Sequence, residues 1–331
     1  MSEGHCSVPS ARLRRTVRFA FAATAGLALA MAVPAAASAA AGPGTDTPIS
    51  VGHGPWGVAL NAPANLLYVA NSNDNTVSVI STRTNLRPVI ATIPVGKRPA
   101  DVAINPVTDT IYVTDFASDS VSVISGRSNR VTATVPVGSD PEGIAVNPVT
   151  NTIYVINSDE ETMSIIDGRT NKPVTIDMPN TGGVAVNSAT NTIYVTGRDS
   201  LSVVDGRTNK ITTTLPVVGG PGIAISPATG TIYVGNVGNN TVSAVNARTG
   251  RVTTTIPVGA GPAAIGVNPV TGTVYVANEF TNTVSLISMR TNKVTSTVTV
   301  GSNPAGVAVN PLTATAYVTS NAGHTVSVIV N

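Results

Sequence analysis

The sequence predicts an all-β protein built from seven copies of one four-stranded unit, and three observations support this. All seven tyrosines of the 331-residue chain fall at the same point of a repeat, 39 to 44 residues apart. Only 11% of the residues are charged, whereas Gly and Pro are frequent, as in proteins of short strands and tight turns. Each repeat also contains four short apolar, β-branched runs. Because repeats of this kind are typical of β-propellers, we expect a seven-bladed β-propeller. The tyrosines are Tyr68, Tyr112, Tyr154, Tyr194, Tyr233, Tyr275 and Tyr317.

The second repeat shows how each element is predicted. Asn105 and Pro106 begin a turn, because Asn bonds to its own backbone and Pro fixes φ. Gly126 and Asn129 tolerate positive φ and mark another turn. Between the turns and loops we expect four strands, over residues 101–105, 110–114, 120–124 and 131–137.

The first strand of each unit carries a small residue at its centre. In a propeller the first strands surround the central axis, where the blades converge and larger side chains would collide. We therefore interpret these strands as the inner strands. Their central residues are Ala59, Ala103, Ala145, Ala185, Ala224, Gly266 and Ala308.

The two ends of the chain are expected to close the ring. The last repeat stops at Asn331 after three strands, and residues 47–52 resemble a fourth strand followed by a connector. We therefore expect the N-terminal strand, residues 46–51, to pair with Thr325–Val330. This pairing leaves no open sheet edge around the ring.

The first 41 residues fit a secretory signal peptide. A basic leader precedes the 15-residue apolar run 19–33, and Ala37-Ser38-Ala39 is a suitable cleavage motif. The alternative is an uncleaved anchor, but the run is shorter than the about 20 residues of a spanning helix. We expect a cleaved signal peptide over 1–41, a single propeller domain over 42–331 without a transmembrane segment, and a secreted or cell-envelope location. The leader arginines are Arg12, Arg14, Arg15 and Arg18.

Removal of the leader would leave a nearly neutral chain. The full chain has 19 basic and 17 acidic residues, and the leader holds four arginines and Glu3. This balance gives no global signature of nucleic-acid binding. Cys6 is the only cysteine and lies in the leader, so no disulfide or cysteine-based metal site is expected after cleavage.

The tetrad that begins at each tyrosine resembles the repeat of the YVTN β-propeller family. It reads Tyr68-Val69-Ala70-Asn71 in the first unit and Tyr112-Val113-Thr114-Asp115 in the second. Val-Gly-x-x-Pro, Asn-Pro-x-Thr and Arg-Thr-Asn-Lys elements recur in register over residues 46–331. The resemblance implies a seven-bladed propeller like those of surface-layer and periplasmic proteins. Related propellers include lactonases, a streptogramin lyase and binding proteins, and fold alone does not choose among them.

The connectivity assigns the loops to two faces. We call top the face with the second-to-third-strand loops and the connectors between blades. We call bottom the face with the first-to-second-strand and third-to-fourth-strand turns.

On the top face we predict a ligand site at the channel mouth, between blades 1 and 3. Trp56, the only tryptophan, starts an inner strand, where its ring can stack on a ligand. Asp101 and Glu142 are interpreted as hydrogen-bond acceptors at matching points of the next two blades. The alternative is that Trp56 plugs the mouth and packs on its neighbours. The candidate ligand-binding residues are Trp56, Lys97, Arg98, Asp101, Asp140 and Glu142.

On the bottom face, 12 of the 15 basic residues that follow the leader lie in or beside the third-to-fourth-strand turns. Such a rim would attract anionic polymers, such as wall polysaccharide, lipid headgroups or nucleic acid. The alternative is a structural role, in which the long side chains cover neighbouring strands. The candidate polyanion contacts are Arg83, Arg127, Arg169, Arg207, Arg248 and Arg290.

No catalytic residue, metal site or cofactor is predicted. The inner strands offer mainly apolar residues, and only His53 and His324 follow the leader. Both lie in top-face loops at the seam between the first and last blades, where two histidines can be neighbours, and the alternative is that both are solvated loop residues. Without a general acid or base beside them, two histidines do not make an active site.

The sequence therefore predicts an exported, non-enzymatic binding protein, monomeric, with a protein, polysaccharide or small-molecule partner. The alternative is a propeller-type lyase or lactonase acting at the top channel mouth. The two hypotheses differ in whether polar side chains converge at that mouth.

Overall fold

The computed structural model describes residues 43–179 and 181–331, and the predicted signal peptide lies outside these ranges. The described chain forms twenty-eight strands and one short 3₁₀ helix, Phe116–Ser118. The strands assemble into seven antiparallel four-stranded sheets, which confirms the all-β, seven-bladed propeller.

The strands follow the repeat, four to a blade from the axis outwards. Blade 1 contains β2 (Pro55–Asn61), β3 (Leu66–Asn71), β4 (Thr76–Ser81) and β5 (Val89–Pro94). Blade 2 contains β6 (Pro99–Asn105), β7 (Thr110–Asp115), β8 (Ser120–Ser125) and β9 (Arg130–Pro136). Blade 3 contains β10 (Pro141–Asn147), β11 (Thr152–Asn157), β12 (Thr162–Asp167) and β13 (Lys172–Asp177). Blade 4 contains β14 (Val184–Asn187), β15 (Thr192–Thr196), β16 (Leu201–Asp205) and β17 (Lys210–Leu215). Blade 5 contains β18 (Ile223–Ser226), β19 (Thr231–Asn236), β20 (Thr241–Asn246) and β21 (Val252–Pro257). Blade 6 contains β22 (Pro262–Asn268), β23 (Thr273–Asn278), β24 (Thr283–Ser288) and β25 (Lys293–Thr299). Blade 7 contains β26 (Pro304–Asn310), β27 (Thr315–Ser320), β28 (Thr325–Val330) and β1 (Gly44–Ser50).

The ring closes as the ends of the sequence indicate. β1 pairs antiparallel with β28, from Gly44 opposite Val330 to Ser50 opposite Thr325. The backbone N–H of Val51 also donates to the carbonyl of His324, at 3.1 Å. The N-terminal strand is therefore the outer strand of blade 7.

The core is divided among the seven interfaces between neighbouring blades. At one of them, Tyr68 and Val79 of blade 1 pack with Ile104 and Ile111 of blade 2. The seam between blades 7 and 1 is packed in the same way, with Tyr317 against Val69. Each sheet is therefore covered on both faces, which explains why its strands read as continuous apolar runs.

The small residue of each inner strand lies directly opposite the tyrosine of the same blade, as Ala59 lies opposite Tyr68. At Gly266 this position is also crowded by the next blade, because a Cβ there would lie 2.7 Å from Cγ1 of Val307. Space for the tyrosine ring and the approach of the next blade both require a small residue.

The residue two places after the tyrosine ties neighbouring blades together where it is threonine. The Thr114 hydroxyl donates to the carbonyl of Glu142 in blade 3 at 2.7 Å, and it accepts the N–H of Asp101 at 2.9 Å. Thr319 likewise donates to the carbonyl of Trp56, at 2.6 Å. These bonds fix the inner-strand starts that surround the top channel mouth.

Within the described residues, the structure contains no helix with the length and apolarity needed to cross a membrane.

Candidate functional site

Charge is segregated between the two faces of the ring. Among the described residues, the bottom face carries 12 basic and 4 acidic side chains, whereas the top face carries 3 basic and 12 acidic ones. The two faces of a chain that is nearly neutral as a whole therefore differ in the sign of their charge. The bottom cations are Arg83, Arg87, Arg127, Arg130, Arg169, Lys172, Arg207, Lys210, Arg248, Arg251, Arg290 and Lys293.

The turns that carry these cations are shaped by other residues. In blade 4, Asp205 caps the turn by accepting the N–H of Arg207 at 2.7 Å, and Asn209 takes a positive φ of 56°. The Arg207 side chain itself is 82% exposed. The six candidate polyanion-contact arginines are all exposed. Turn geometry therefore accounts for the Asp, Gly and Asn of these turns and leaves the arginine side chains free to meet a partner.

Arg87 departs from this pattern. Its side chain is buried, and Nη1 donates to Oδ2 of Asp46 at 2.7 Å. Asp46 belongs to β1, so the ion pair joins blade 1 to the closing strand of blade 7. Arg87 is a closure residue, and the exposed basic rim consists of the other eleven cations.

At the top channel mouth, Trp56 packs against other inner strands. Its half-buried side chain contacts Ala263 of blade 6 and Ala305 of blade 7. This contact is the arrangement expected if Trp56 plugs the mouth.

Glu142 lies at the position of blade 3 that matches Trp56 in blade 1, since each follows the first proline of its inner strand. Glu142 is buried, and its Oε2 has no hydrogen-bond partner. Burial raises the pKa of Glu142 to about 7, partly offset by the nearby Ser158 hydroxyl. Its carboxyl group is therefore poised to exchange a proton near neutral pH.

Asp101 does not match Glu142, and that expectation was wrong. It lies one residue further along its inner strand, after Pro99 and Ala100. The side chain is 1% exposed, and its oxygens accept the N–H of Val102 at 2.8 Å and of Ile144 at 3.4 Å. Burial raises the pKa of Asp101 well above its usual range. It bridges blades 2 and 3 and is inaccessible to a ligand.

The other predicted top-face residues lie in the connectors. Lys97 is exposed, and the guanidinium of Arg98 lies 4.9 Å from the ring centroid of Phe116. Asp140 is half-buried, and its N–H donates to Asp119 at 3.1 Å. The structure therefore spreads the six candidate ligand-binding residues over the channel mouth, a buried interface between blades and a loop rim.

His53 and His324 are neighbours, and a third residue joins them. Their rings meet edge to face, with centroids 4.9 Å apart. Asp74 accepts hydrogen bonds from the His53 backbone N–H at 2.7 Å and from His53 Nδ1 at 2.9 Å. The pKa of Asp74 lies below its usual range because of the His53 backbone bond, with a further contribution from the imidazole.

The hydrogen bonds fix the state of both rings. Asp74 is an acceptor, so His53 carries its proton on Nδ1 and leaves Nε2 as a base when neutral. The N–H of Gly54 donates to His324 Nδ1 at 3.2 Å, so neutral His324 carries its proton on Nε2. In the described part of the chain, no three or more His, Cys, Asp or Glu side chains are arranged to hold a metal ion.

Two features escaped sequence reasoning. Asp74 lies 21 residues from His53, and only the pairing of blade 1 brings them together. The exposed apolar turn residues of the bottom face, such as Val107 and Leu312, were read only as parts of turns. Their regular place in the repeated Asn-Pro-x-Thr elements was the available signal.

Comparisons with known proteins agree with the architecture. A family model described as NHL repeat matches residues 53–80, the end of the connector and most of the first three strands of blade 1. No curated protein matches the sequence. The solved structure titled Kuenenia stuttgartiensis Hydrazine Synthase is similar, with a TM-score of 0.75, 17% identity, and coverage of 84% of this chain and 96% of that chain. At that identity the likeness shows the fold alone. The chain is thus a seven-bladed β-propeller, and residues 53–80 of its first blade are similar to an NHL repeat.

Proposed function

We propose that this protein is an exported, non-enzymatic binding propeller that engages an anionic partner through its bottom face. The observation that carries the proposal is the segregation of charge: apart from the Arg87–Asp46 pair, the bottom face of a nearly neutral chain holds eleven exposed cations and three acids. A face of one sign attracts oppositely charged surfaces and orients the approach. The exposed arginines contribute little to turn geometry, so the shape of the turns does not by itself require them.

Export is supported by the sequence of residues 1–41, with its basic leader, apolar run and cleavage motif. The resemblance to the YVTN repeat family supports a location in the cell envelope or outside the cell, because members are surface-layer and periplasmic propellers. The acidic top face would then point away from an anionic partner, which favours one orientation of docking.

Retention on a heparin-type resin tests the proposal, with two triple variants of equal charge change. Arg127→Glu, Arg169→Glu and Arg207→Glu reverse three bottom cations, whereas Lys97→Glu, Arg98→Glu and Arg198→Glu reverse three top ones. We expect the bottom variant to lose retention and the top variant to keep it. Because both variants change the net charge equally, a difference between them reports on the face that binds. Equal elution of the bottom variant and the parent would reject the proposal.

A second function, that of a propeller-type lyase or lactonase, is favoured by the cluster of His53, Asp74 and His324. Asp74 orients His53 as a base, and His324 offers an Nε2–H within the same exposed cluster. If such an enzyme acts here, His53→Ala and Asp74→Asn should each lower turnover of a cyclic ester at least about tenfold. Asp199→Asn, in the top loop of blade 4, is the matched control. Failure to detect turnover in the parent would remove this function.

A further inference from the structure

We propose that the anionic partner is a lipid bilayer surface, on which the bottom face docks with apolar tips inserted between the headgroups. The inference rests on the proposed function and names its partner. We define the apolar tips as Leu86, Val107, Val149, Val270 and Leu312.

The tips are the most exposed large hydrophobic side chains of the bottom face. Their exposed fractions run from 63% to 90%, and five of the six most exposed large hydrophobic residues in the described chain are tips. The sixth, Phe280, lies on the top face. Large apolar side chains that are exposed on one face, rather than spread over the whole surface, favour that face as an interaction surface.

Four of the tips stand in turns whose backbone is fixed by the same hydrogen bond. In blade 2, Asn105 Oδ1 accepts the backbone N–H of Val107 at 3.0 Å, and Asn105 Nδ2 donates to Asn151 in the next blade at 2.6 Å. The tip is therefore fixed by a turn that is itself tied to its neighbour. The same N–H to Asn bond holds Val149, Val270 and Leu312, at 3.0, 2.9 and 3.0 Å.

The tips are distributed on both sides of the axis. Val107 and Val149 belong to blades 2 and 3, whereas Val270 and Leu312 belong to blades 6 and 7. Blades 4 and 5 have Ala189 at the equivalent place and Pro227-Ala228 in the equivalent turn. A surface that contacts both groups of tips at once must be broad and flat, as a bilayer is and a single polymer chain is not.

The cations complete the chemistry of a bilayer surface. The third-to-fourth-strand turns project the rim from the same face as the tips, so cations reach phosphate groups where the tips reach acyl chains. A hydrophilic polyanion would use the cations only and leave the tips in water. Anionic bilayers use both, since interfacial binding adds buried apolar area to electrostatic attraction.

Flotation with lipid vesicles tests the proposal. The probes are phosphatidylcholine vesicles with and without phosphatidylglycerol, at low and high salt. The tip variant is Val107→Ser, Val270→Ser and Leu312→Ser, and the control is Val174→Ser with Phe280→Ser, two exposed apolar residues outside the bottom face. We expect the parent and the control to float with anionic vesicles at low salt. The tip variant should bind these vesicles at least about tenfold more weakly than the parent.

Heparin retention separates this proposal from the one on which it rests. The tip variant should elute from a heparin-type resin with the parent, because its cations are intact. A parent that binds heparin but not anionic vesicles would overturn lipid docking and leave the bottom face with a hydrophilic polyanion. Equal binding of anionic vesicles by the parent and the tip variant would also overturn lipid docking. So would equal binding of the parent to neutral and anionic vesicles.

Discussion

Nη1 of Arg87 donates a 2.7 Å hydrogen bond to Oδ2 of Asp46, and this ion pair fastens blade 1 to the strand that closes blade 7. Arg87 Nη1 also donates to the carbonyl of Asn85 at 3.2 Å, which holds the guanidinium in place. The pair crosses the one seam of the ring where the strands come from opposite ends of the chain. We therefore expect the Arg87–Asp46 pair to stabilise the pairing of the N-terminal strand with the last blade.

Arg87→Met is expected to lower the melting temperature by a few degrees at most, because it removes a half-buried, charge-assisted bond across the seam. Arg127→Met removes an exposed arginine from the equivalent turn of blade 2 and serves as the control. Thermal unfolding followed by circular dichroism measures both. The hydrogen bond from Arg87 lowers the pKa of Asp46 below 3.8, so the difference between the parent and Arg87→Met should shrink as the pH falls below that value. Equal melting of the two variants at pH 7 would deny the pair this role.

A chain that begins at residue 52 should melt lower and aggregate more than one that begins at residue 43. The shorter chain lacks β1, which exposes the edge of β28 and removes ladder hydrogen bonds worth about 1 kcal/mol each. Melting curves and light scattering measure the two effects. If both chains melt together and stay monomeric, β1 contributes nothing to closure.

Stability should depend on the protonation of Glu142. Burial raises its pKa from 4.5 to about 7. Between pH 4.5 and about 7 the folded state therefore keeps a proton that the unfolded state has released. The contribution of Glu142 to the free energy of unfolding is fully present below about pH 4.5. It is lost as the pH rises through about 7, by up to about 3 kcal/mol. Glu142→Gln should flatten the fall in melting temperature between pH 5 and 8. The exposed Glu160→Gln is the control, and a parallel profile for Glu142→Gln would contradict the assignment.

The fold could be predicted from the sequence because its determinants repeat. The tyrosine, the small inner-strand residue opposite it and the turn residues recur in every blade, and the last repeat lacks one strand that residues 44–50 supply. The pairing of Ala59 with Tyr68 gives the physical reason for two of these signals.

The candidate sites were harder to predict because they depend on single residues in variable connectors. Asp101 was assigned to the channel mouth, but a shift of one position in the inner strand places its side chain between blades. Arg87 looked like one more rim cation, since its partner Asp46 reaches it only after closure. Asp74 was missed because loop contacts between distant residues leave no periodic signal.

The central claim is that the bottom face binds anions through its exposed cations, and the salt dependence of binding tests it most directly. Fluorescence anisotropy of a labelled heparin oligosaccharide gives the association constant over a range of salt concentrations. We expect the logarithm of this constant to fall linearly with the logarithm of the salt concentration, because protein cations that bind the polyanion displace its counterions. The slope should be smaller for the variant with Arg127, Arg169 and Arg207 reversed and unchanged for the variant with Lys97, Arg98 and Arg198 reversed. A flat salt dependence in the parent, or the same slope in both variants, would contradict the account.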